Sequence, residues 1–381
     1  MLAALRRLTC DGAEDCNMRS FVVMPCLDEA AFAGDAARSL LAPNVGRMSD
    51  LSLIAVDNGS TDGTLDVLAN LAREFPGQVH IVEERRRGFV PARRRGVQEV
   101  VDLVRRSGTA ENQALVLQAD ADTVYRPGYV PAMEAASDQV ENAVLEGAAG
   151  RPAEFAAIHP TYILAERVVD AAMEDWEAVD QDDVVVDDKI CAFKLSDYLR
   201  WGGLFEETDG IGDDIHAETT RMFIRARLMH GAKKVRVNPA GAASSRRRVM
   251  EDPRLHYATL GFPRTKSWRE EFSRLKVPVD VDSFAASILE DGEREAVWLR
   301  SAHLLALFRY LPAYVLSAGC GRSTLLESQD VRSVLALLPA ADAVGIAASP
   351  GRAIEAIFAL IDRCPDLFIR RSVEGPGAGS I

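Results

Sequence analysis

Residues 114–123 read ALVLQADADT, an apolar run that leads directly into two aspartates, Asp120 and Asp122. The run has the length and composition of a buried strand. Alternate carboxylates at the end of a strand can both reach one divalent cation, and their hard oxygen atoms suit Mg²⁺ or Mn²⁺. The alternative is a pair that caps a helix before Pro127 and binds no metal.

Three more apolar runs precede this one, and helical patterns separate them. The predicted strands are 20–24, 51–56, 79–82 and 114–117, and the predicted helices are 30–41, 64–75 and 91–104. This alternation is typical of βαβ units and a mainly parallel sheet. Ligands of such sheets bind beyond the carboxyl ends of the strands, where residues 25–29, 57–62 and 120–122 are expected.

The segment 56–64, VDNGSTDGT, is a dense turn between the second strand and the next helix. Ser60 or Asp62 is suited to cap that helix, since both side chains accept hydrogen bonds from free backbone amides. Asp57 ends an otherwise apolar strand, and a cap does not explain it. Its carboxylate is placed to accept hydrogen bonds from a ribose or a base.

Composition narrows the class of protein. The chain has 381 residues, 48% of them hydrophobic, and a net charge of −13, which argues against a nucleic-acid-binding protein. Its six cysteines follow no disulfide or zinc spacing. The first residues resemble no signal peptide, and the apolar stretch 303–318 is too short to span a membrane. A cytoplasmic protein without a transmembrane segment is therefore predicted.

The pattern loosens after residue 144. It predicts helices over 153–173 and 214–229, strands over 190–195 and 234–237, and an exposed acidic loop over 174–188. We divide the chain into a flexible tail (1–18), an α/β domain (19–263), a helical C-terminal region (264–371) and a disordered tail (372–381). The helical region suits a homodimer contact better than an acceptor lid or a peripheral contact with the inner face of a membrane.

Six segments together resemble glycosyltransferase family 2. They are VVMPCLDEA (22–30), IAVDNGSTDGT (54–64), GFVPARRRG (88–96), LVLQADADT (115–123), WGGLFE (201–206) and GDD (212–214). Each segment alone is a modest match, but their order and spacing over residues 20–250 are specific. The resemblance implies a GT-A fold, a Rossmann-like, mixed and mainly parallel sheet flanked by helices. It also implies a hexosyltransferase that uses a nucleotide-sugar donor.

The resemblance assigns roles on the donor side. Pro25 and Glu29 belong to the first nucleotide-contacting loop, and Asp57 contacts the base or ribose. Arg93 faces the nucleotide, where a guanidinium can pair with phosphate. Gly203 of the WGGLFE turn is a further expected substrate-binding residue. Asp120 holds both donor and metal.

On the acceptor side, the resemblance makes Asp214 the catalytic base, with Asp213 as its neighbour in the family's ED motif. Such a base removes the proton of an acceptor hydroxyl and allows in-line attack with inversion. Both aspartates also suit a helix cap. Asp122 and Asp120 are the expected Mn²⁺ or Mg²⁺ ligands, with His256 as a third. His216 and His230 are alternatives to His256. The arginines at 246–248 suit a diphosphate or an anionic acceptor.

The sequence departs from the family pattern at several positions. Asp28 stands where the family has Asn, and Asn58 replaces the second Asp of the VDDGS turn. Arg94 and Asp213 replace the Asn of the fourth motif and the Glu of ED. The spacing from Asp214 to Arg221 is about one residue longer than usual. These changes affect the acceptor side more than the donor side.

Three other classes of protein are alternatives, and the sequence argues against two of them. TDGTL (61–65) echoes the motif of haloacid-dehalogenase phosphatases, but Ser60 stands where their nucleophilic Asp is required. A nucleotidyltransferase would usually have a first loop that is rich in Gly and contains a Lys. The segment MPCLDEA (24–30) contains neither residue. A catalytically silent nucleotide-sugar-binding protein is the third. The expected partners are a nucleotide-sugar donor and a carbohydrate, lipid-linked or small-molecule acceptor.

Overall fold

A computed structural model describes residues 18–47, 50–174, 178, 181–262, 264–319, 323–340 and 342–369. Both predicted tails, apart from Met18, lie outside the described residues. So does Pro263, where we placed the boundary between the α/β domain and the helical region.

Eight strands in the described part of the chain form one sheet, in the order β3-β2-β1-β4-β7-β6-β8-β5. The strands are β1 (Arg19–Cys26), β2 (Leu51–Asp57), β3 (Val79–Glu83), β4 (Ala114–Gln118), β5 (Thr123–Tyr125), β6 (Ala143–Gly150), β7 (Cys191–Lys194) and β8 (Lys233–Ser244). The first four are parallel neighbours. Strand β7 runs antiparallel to both of its neighbours, whereas β6 and β8 are parallel. The sheet is therefore mixed and mainly parallel.

Helices cover both faces of the sheet and make up the C-terminal part of the chain. Those before residue 231 are α1 (Ala33–Leu41), α2 (Thr64–Glu74), α3 (Phe89–Ser107), α4 (Tyr129–Ser137), α5 (Ala153–Ile158), α6 (Pro160–Met173), α7 (Leu195–Arg200) and α8 (Glu218–His230). Those after it are α9 (Arg247–Glu251), α10 (Pro253–Thr259), α11 (Lys266–Arg274), α12 (Val281–Leu289), α13 (Arg294–Leu305), α14 (Leu311–Ser317), α15 (Gln329–Leu335), α16 (Ala343–Ala348), α17 (Pro350–Arg363) and α18 (Asp366–Ile369). The predicted mixed, mainly parallel sheet flanked by helices, with its helical C-terminal region, is confirmed.

The central strands are buried on both faces, as expected of parallel strands between helix layers. In β1, Val22 and Met24 pack with helices α1, α2 and α4. Phe21 and Val23 face the opposite way, toward helix α3 and a larger apolar cluster. That cluster continues through α6 and α8 into α13 and α17. The helical C-terminal region therefore shares one core with the sheet.

Several elements differ from the sequence prediction. The helix predicted from residue 214 begins only at Glu218, because Ala217 has a left-handed backbone with φ 61°. The helix predicted over 153–173 is interrupted at His159, since a residue before proline is disfavoured in the helical conformation. Strands β5 and β6 were not predicted. They are short or rich in small residues, so their apolar pattern is weak.

The acidic run is not the exposed loop that we predicted. Where the structure describes it, Asp182 and Asp183 are buried, and Val184 and Val186 belong to the apolar core. Lys234 of β8 compensates Asp183 through an ion pair. Net acidity of a segment therefore did not predict its exposure, because the basic partner comes from a strand 51 residues away.

None of the described helices combines the length and the apolarity that crossing a membrane would require.

Candidate active site

The carboxyl ends of β1, β2 and β4 meet at one edge of the sheet. The register pairs Cys26 with Asp57 and Val23 with Gln118, so the loops that follow these strands emerge side by side. A cavity of about 260 Å³ opens there, and we call it the strand-tip cavity. It is lined by Pro25, Cys26, Leu27, Glu29, Asn58, Gly88, Phe89, Ala92, Arg93, Asp120, Ala121, Asp122, Arg247 and Arg248. Five predicted site residues, Pro25, Glu29, Arg93, Asp120 and Asp122, are thus brought together.

The turn after β2 is held by its own side chains. The Asp57 carboxylate is 5% exposed and accepts hydrogen bonds from the amides of Gly59 and Ser60, both at 3.3 Å. The amide nitrogen of Asn58 donates to the carbonyls of Glu84 and Arg86 at 2.9 and 2.8 Å. An aspartate cannot donate these bonds, which explains why Asn58 replaces the family's second Asp. Asp57 lies behind the cavity wall that Asn58 provides.

Asp28 joins the first loop to the turn after β2. Its carboxylate accepts the Thr61 amide at 2.7 Å, and its own amide donates to the Ser60 hydroxyl at 3.1 Å. Asp62 returns the contact by accepting the Ala30 amide at 3.1 Å. Asp28 has a φ of 56°, a left-handed conformation that Asp and Asn tolerate. The negative charge of Asp28 therefore fixes the two loops against each other.

Asp120 and Asp122 lie in the short loop between β4 and β5, and each contacts an arginine. Oδ1 of Asp120 accepts from Nη2 of Arg93 at 2.7 Å. Oδ2 of Asp122 accepts from the Ser245 hydroxyl at 3.0 Å and lies 3.4 Å from Nη2 of Arg247. Arg247 also forms a two-bonded pair with Glu29. The loop is therefore tied to β8, α3 and the first loop.

Burial raises the pKa of Glu29, and the charges of Asp122 and Asp120 add to this effect. Hydrogen bonds from Arg247 oppose it. Glu29 therefore experiences the negative charges of both aspartates. A cation bound at the aspartates would offset that repulsion.

Arg93 is the most buried charged group of this site, at 3% exposure. Its Nε donates to Glu218 at 3.0 Å while its Nη2 donates to Asp120, so one guanidinium joins α8 to the loop after β4. Burial works to lower the pKa of Arg93, but Asp120 and Glu218 outweigh burial and raise it. The guanidinium therefore stays charged, with its Nη1 lacking a hydrogen-bond partner.

A second cavity, of about 680 Å³, lies on the other side of Arg93, and we call it the large cavity. It shares Phe89, Arg93, Asp120 and Arg248 with the strand-tip cavity. Its other lining residues are Glu146, Gly147, Ala148, Ala149, Asp183, Val185, Val186, Asp187, Asp188, Lys189, Ile190, His216, Ala217, Glu218, Lys234, Arg236, Asn238, Leu260, Gly261, Phe262, Arg269, Leu307 and Phe308. The two spaces therefore meet at the loop that carries Asp120.

Two carboxyl groups of the large cavity interact across its floor. Burial, and next the charge of Glu218, raise the pKa of Asp188 to about 8, although Arg93 opposes both. At neutral pH Asp188 therefore mostly retains its proton. Glu218 pairs with Arg93, whose Nε lies 3.0 Å from its Oε1.

The structure places the remaining predicted residues outside both cavities. Asp213 is partly exposed and accepts the Ser267 amide at 2.8 Å. Asp214 is also exposed and lines a separate narrow cavity of about 20 Å³, which Glu218 lines as well. Gly203 has a φ of 66°, and a Cβ there would lie 2.7 Å from the Tyr198 ring, so its conformation and packing both require glycine.

His256 lies on helix α10 and lines neither cavity. Burial, followed by the nearby charges of Arg246 and Arg300, lowers the pKa of His256 to about 3, so the ring is neutral. Its Nδ1 is buried without a hydrogen-bond partner. Among the described residues no three His, Cys, Asp or Glu side chains are grouped so as to hold a metal, so His256 does not join Asp120 and Asp122 here.

Sequence reasoning missed Glu218, Asp188 and the specific role of Arg247. The predicted helix over 214–229 contains Glu218 but does not mark it as special. In the structure Glu218 is the first residue of the helix, which begins ETTRMFIRARL. Asp188 was hidden in an acidic run assigned to solvent. Arg247 was noted only as the middle of three arginines, and the sequence holds no signal that it pairs with Glu29, 218 residues earlier.

Comparison with known proteins gives one family and several distant structural likenesses. Residues 21–156 match the model of the family described as glycosyl transferase family 2. Among curated proteins, none matches the chain in sequence. The mannosyltransferase PcManGT from Pyrobaculum calidifontis, solved with GDP-Man and Mn²⁺, is 16% identical, with a TM-score of 0.46 and coverage of 93% of this chain and 90% of that one.

Two further solved structures are similar at lower TM-scores. Glucosyl-3-phosphoglycerate synthase from Mycobacterium tuberculosis, solved with Mn²⁺, UDP and phosphoglyceric acid, is 20% identical, with a TM-score of 0.39 and coverage of 65% of this chain and 80% of that one. TarS 1–349 from S. aureus is 15% identical, with a TM-score of 0.41 and coverage of 83% and 90%.

The matched segment runs from β1 to α5 and includes Glu29, Asp57, Arg93, Asp120 and Asp122. It therefore contains most of the strand-tip cavity and the loop at which the two cavities meet. Residues 21–156, about a third of the chain, are thus the part that is similar to glycosyl transferase family 2.

Proposed function

We propose that the chain transfers a hexosyl group from a nucleoside-diphosphate sugar to an acceptor hydroxyl, with inversion at the anomeric carbon. The donor occupies the strand-tip cavity and the acceptor occupies the large cavity. The observation that supports this assignment is the shared wall: Asp120 and Arg93 line both spaces. A sugar held at Asp120 would then face the acceptor across the point where the cavities meet.

The residues present fit a divalent cation. The second oxygen of Asp120 has no protein partner in the described part of the chain, and Oδ1 of Asp122 has only a 3.5 Å contact with Thr123. Two carboxylates are enough for Mg²⁺, which commonly completes its shell with water and substrate phosphates, and Mn²⁺ accepts the same oxygen ligands. When bound, the ion would neutralise the departing diphosphate.

The chain itself supplies positive charge to the same leaving group. Arg247 lines the strand-tip cavity beside Asp122, and it is only partly buried. Its guanidinium can turn from Glu29 toward a diphosphate, because charge-assisted hydrogen bonds to phosphate oxygens are strong. Arg93 keeps Asp120 in place while the bond from the anomeric carbon to the diphosphate breaks.

The acceptor proton requires a carboxylate inside the large cavity. The sequence makes Asp214 the candidate, but the geometry favours Glu218, which lines the large cavity and pairs with Arg93. As the acceptor oxygen bonds to the anomeric carbon, its proton would pass to Glu218. Asp188 mostly keeps its own proton at neutral pH, so it would not compete with Glu218 for the proton of the acceptor hydroxyl.

The donor half of the proposal is tested by calorimetric titration of UDP-, GDP- and dTDP-sugars with Mn²⁺. We expect one of them to bind, and Asp122→Ala to weaken that binding by at least about tenfold, as expected for loss of a charged ligand. Failure of all three donors to bind, together with no effect of Asp122→Ala, would refute the transferase assignment.

The catalytic half is tested with water as the acceptor. Early NMR spectra of the released sugar should show the anomer opposite to that of the donor, and retention would refute the single displacement. Glu218→Gln should abolish release while the donor still binds, whereas Asp214→Asn should retain it. The reverse pattern would return the base to Asp214. Donor binding without any release in the unmodified chain would identify a silent binding protein.

A further inference from the structure

In the large cavity the acidic side chains are neutralised, whereas two of the basic side chains are not. Each of its acidic side chains is either paired or protonated. Lys234 pairs with Glu146 and Asp183, Lys189 with Asp187, and Arg93 with Asp120 and Glu218, while Asp188 mostly keeps its proton. Arg236 is likewise taken up by Asp183. Two further cations line the same cavity, Arg248 and Arg269.

Neither of these two arginines forms an ion pair with a described residue. Two carboxylates, Asp213 and Glu270, act on Arg269 through their charges, but neither forms an ion pair with it. Asp213 accepts the Ser267 amide at 2.8 Å, and Glu270 lies 3.6 Å from Lys266. The Nε atom of Arg269 is buried without a hydrogen-bond partner. Arg248 is exposed and lines both cavities.

The two guanidinium groups face the same cavity and act on each other through their charges. Burial, followed by the charge of Arg248, lowers the pKa of Arg269. Nη2 of Arg269 lies 3.5 Å from Nε2 of His216. Burial and the charge of Arg269 lower the pKa of His216, so this ring is neutral and adds no third charge. Two like charges facing one space without a counter-ion repel each other, and an anion placed between them would relieve that repulsion.

We propose that Arg248 and Arg269 bind a phosphate monoester carried by the acceptor. This inference rests on the proposed function, because it places the acceptor in the large cavity. Two uncompensated guanidinium groups match the charge of a phosphate dianion, and their planar forks suit its oxygen atoms. Helix α11 contributes Arg269, so the helical C-terminal region selects the acceptor.

Arg269 separates this anion site from the donor's diphosphate. Arg248 lines both cavities and can reach either anion, whereas Arg269 lines the large cavity and not the strand-tip cavity. A role in donor binding would therefore be confined to Arg248. The acceptor site requires both residues.

The test uses inorganic phosphate as the probe and the full chain in the presence of a chelator. Calorimetry should show that Arg269→Gln weakens phosphate binding by about tenfold to a hundredfold, the effect of one charge-assisted hydrogen-bonding group. Arg274→Gln is the matched control, because Arg274 lies on the same helix, is exposed and lines neither cavity. Acetate should bind more weakly than phosphate.

Thermal unfolding provides a second measurement that does not depend on activity. Phosphate should raise the Tm of the unmodified chain but not that of Arg269→Gln. Without phosphate, Arg269→Gln should be at least as stable as the unmodified chain, since the repulsion from Arg248 is gone. A large loss of stability would overturn the idea of an uncompensated pair.

Three outcomes of the titration would overturn the proposal. They are no binding of phosphate by the unmodified chain, equal weakening by Arg269→Gln and Arg274→Gln, and acetate binding as tight as phosphate. Each leaves the donor titrations unaffected, so failure here is distinguishable from failure of the proposed function. Conversely, a chain that binds phosphate through Arg269 but binds no nucleotide sugar would refute the transferase alone.

Discussion

Replacing Arg93 with methionine removes the charge that joins the two cavities. Arg93 and Glu218 are 3% and 4% exposed at their side chains, whereas Asp120 is 39% exposed. After Arg93→Met, Asp120 is therefore much better hydrated than Glu218. Removing one partner of a buried ion pair costs about 3–5 kcal/mol, because the other charge stays buried without compensation. We expect Arg93→Met to lower the free energy of unfolding by this amount.

The source of the loss can be assigned with a double-mutant cycle. Glu218→Gln alone should cost less than Arg93→Met, since Arg93 keeps its bond to Asp120. In the double variant no buried charge is left unpaired, so its loss should be smaller than the sum of the two single losses by about 1–3 kcal/mol. Urea unfolding followed by tryptophan fluorescence and circular dichroism gives all four values at one pH.

Two results would refute this reasoning. If Arg93→Met costs less than about 1 kcal/mol, the pair with Glu218 is not held in a buried environment. If the two single losses simply add, Glu218 does not depend on Arg93. Arg95→Met is a suitable control, because Arg95 lies on the same helix and its bond to Glu99 is more exposed.

Further predictions concern stability. Gly96→Ala should destabilise the chain by about 1–2 kcal/mol, since the new Cβ would overlap Val23 and this strain exceeds the gain in helix propensity; in a Val23→Ala background, urea unfolding should show the substitution to be neutral or stabilising. Asn58→Asp should cost about 1–3 kcal/mol in the same assay, because two carbonyl groups lose their donor. Burial lowers the pKa of His303 to about 3, so between pH 6.5 and 3 the unfolded chain binds a proton that the folded chain does not. As the pH is lowered through this range, the free energy of unfolding should therefore fall by about 1.4 kcal/mol per pH unit. His303→Gln should show a shallower fall, and an unchanged slope would contradict this origin.

The convergence of residues at the strand-tip cavity could be predicted because its signals are local in sequence. Asp120, Glu29 and Arg93 each stand next to a strand end or a helix start, and a parallel sheet brings such ends to one edge. Even where the family pattern was broken, as at Asn58, the structure supplies a local reason.

The lining of the large cavity could not be predicted in the same way, because its residues come from distant parts of the chain. The start of α8 depends on the left-handed backbone of Ala217, which the residue type does not signal. The burial of Asp183 depends on Lys234 from β8. Arg269 reaches the large cavity only because the C-terminal helices share a core with the sheet.

The double bond of Arg93, to Asp120 on one side and Glu218 on the other, also sets a thermodynamic relation between the two substrates. If a cation binds Asp120 as proposed, its charge would weaken the attraction between that carboxylate and Arg93 and leave the guanidinium more fully to Glu218. Occupation of the proposed donor side would thereby change the affinity of Glu218 for a proton. By linkage, protonation on the acceptor side must change metal affinity by the same factor. Metal affinity at Asp120 and proton affinity at Glu218 would thus be thermodynamically coupled.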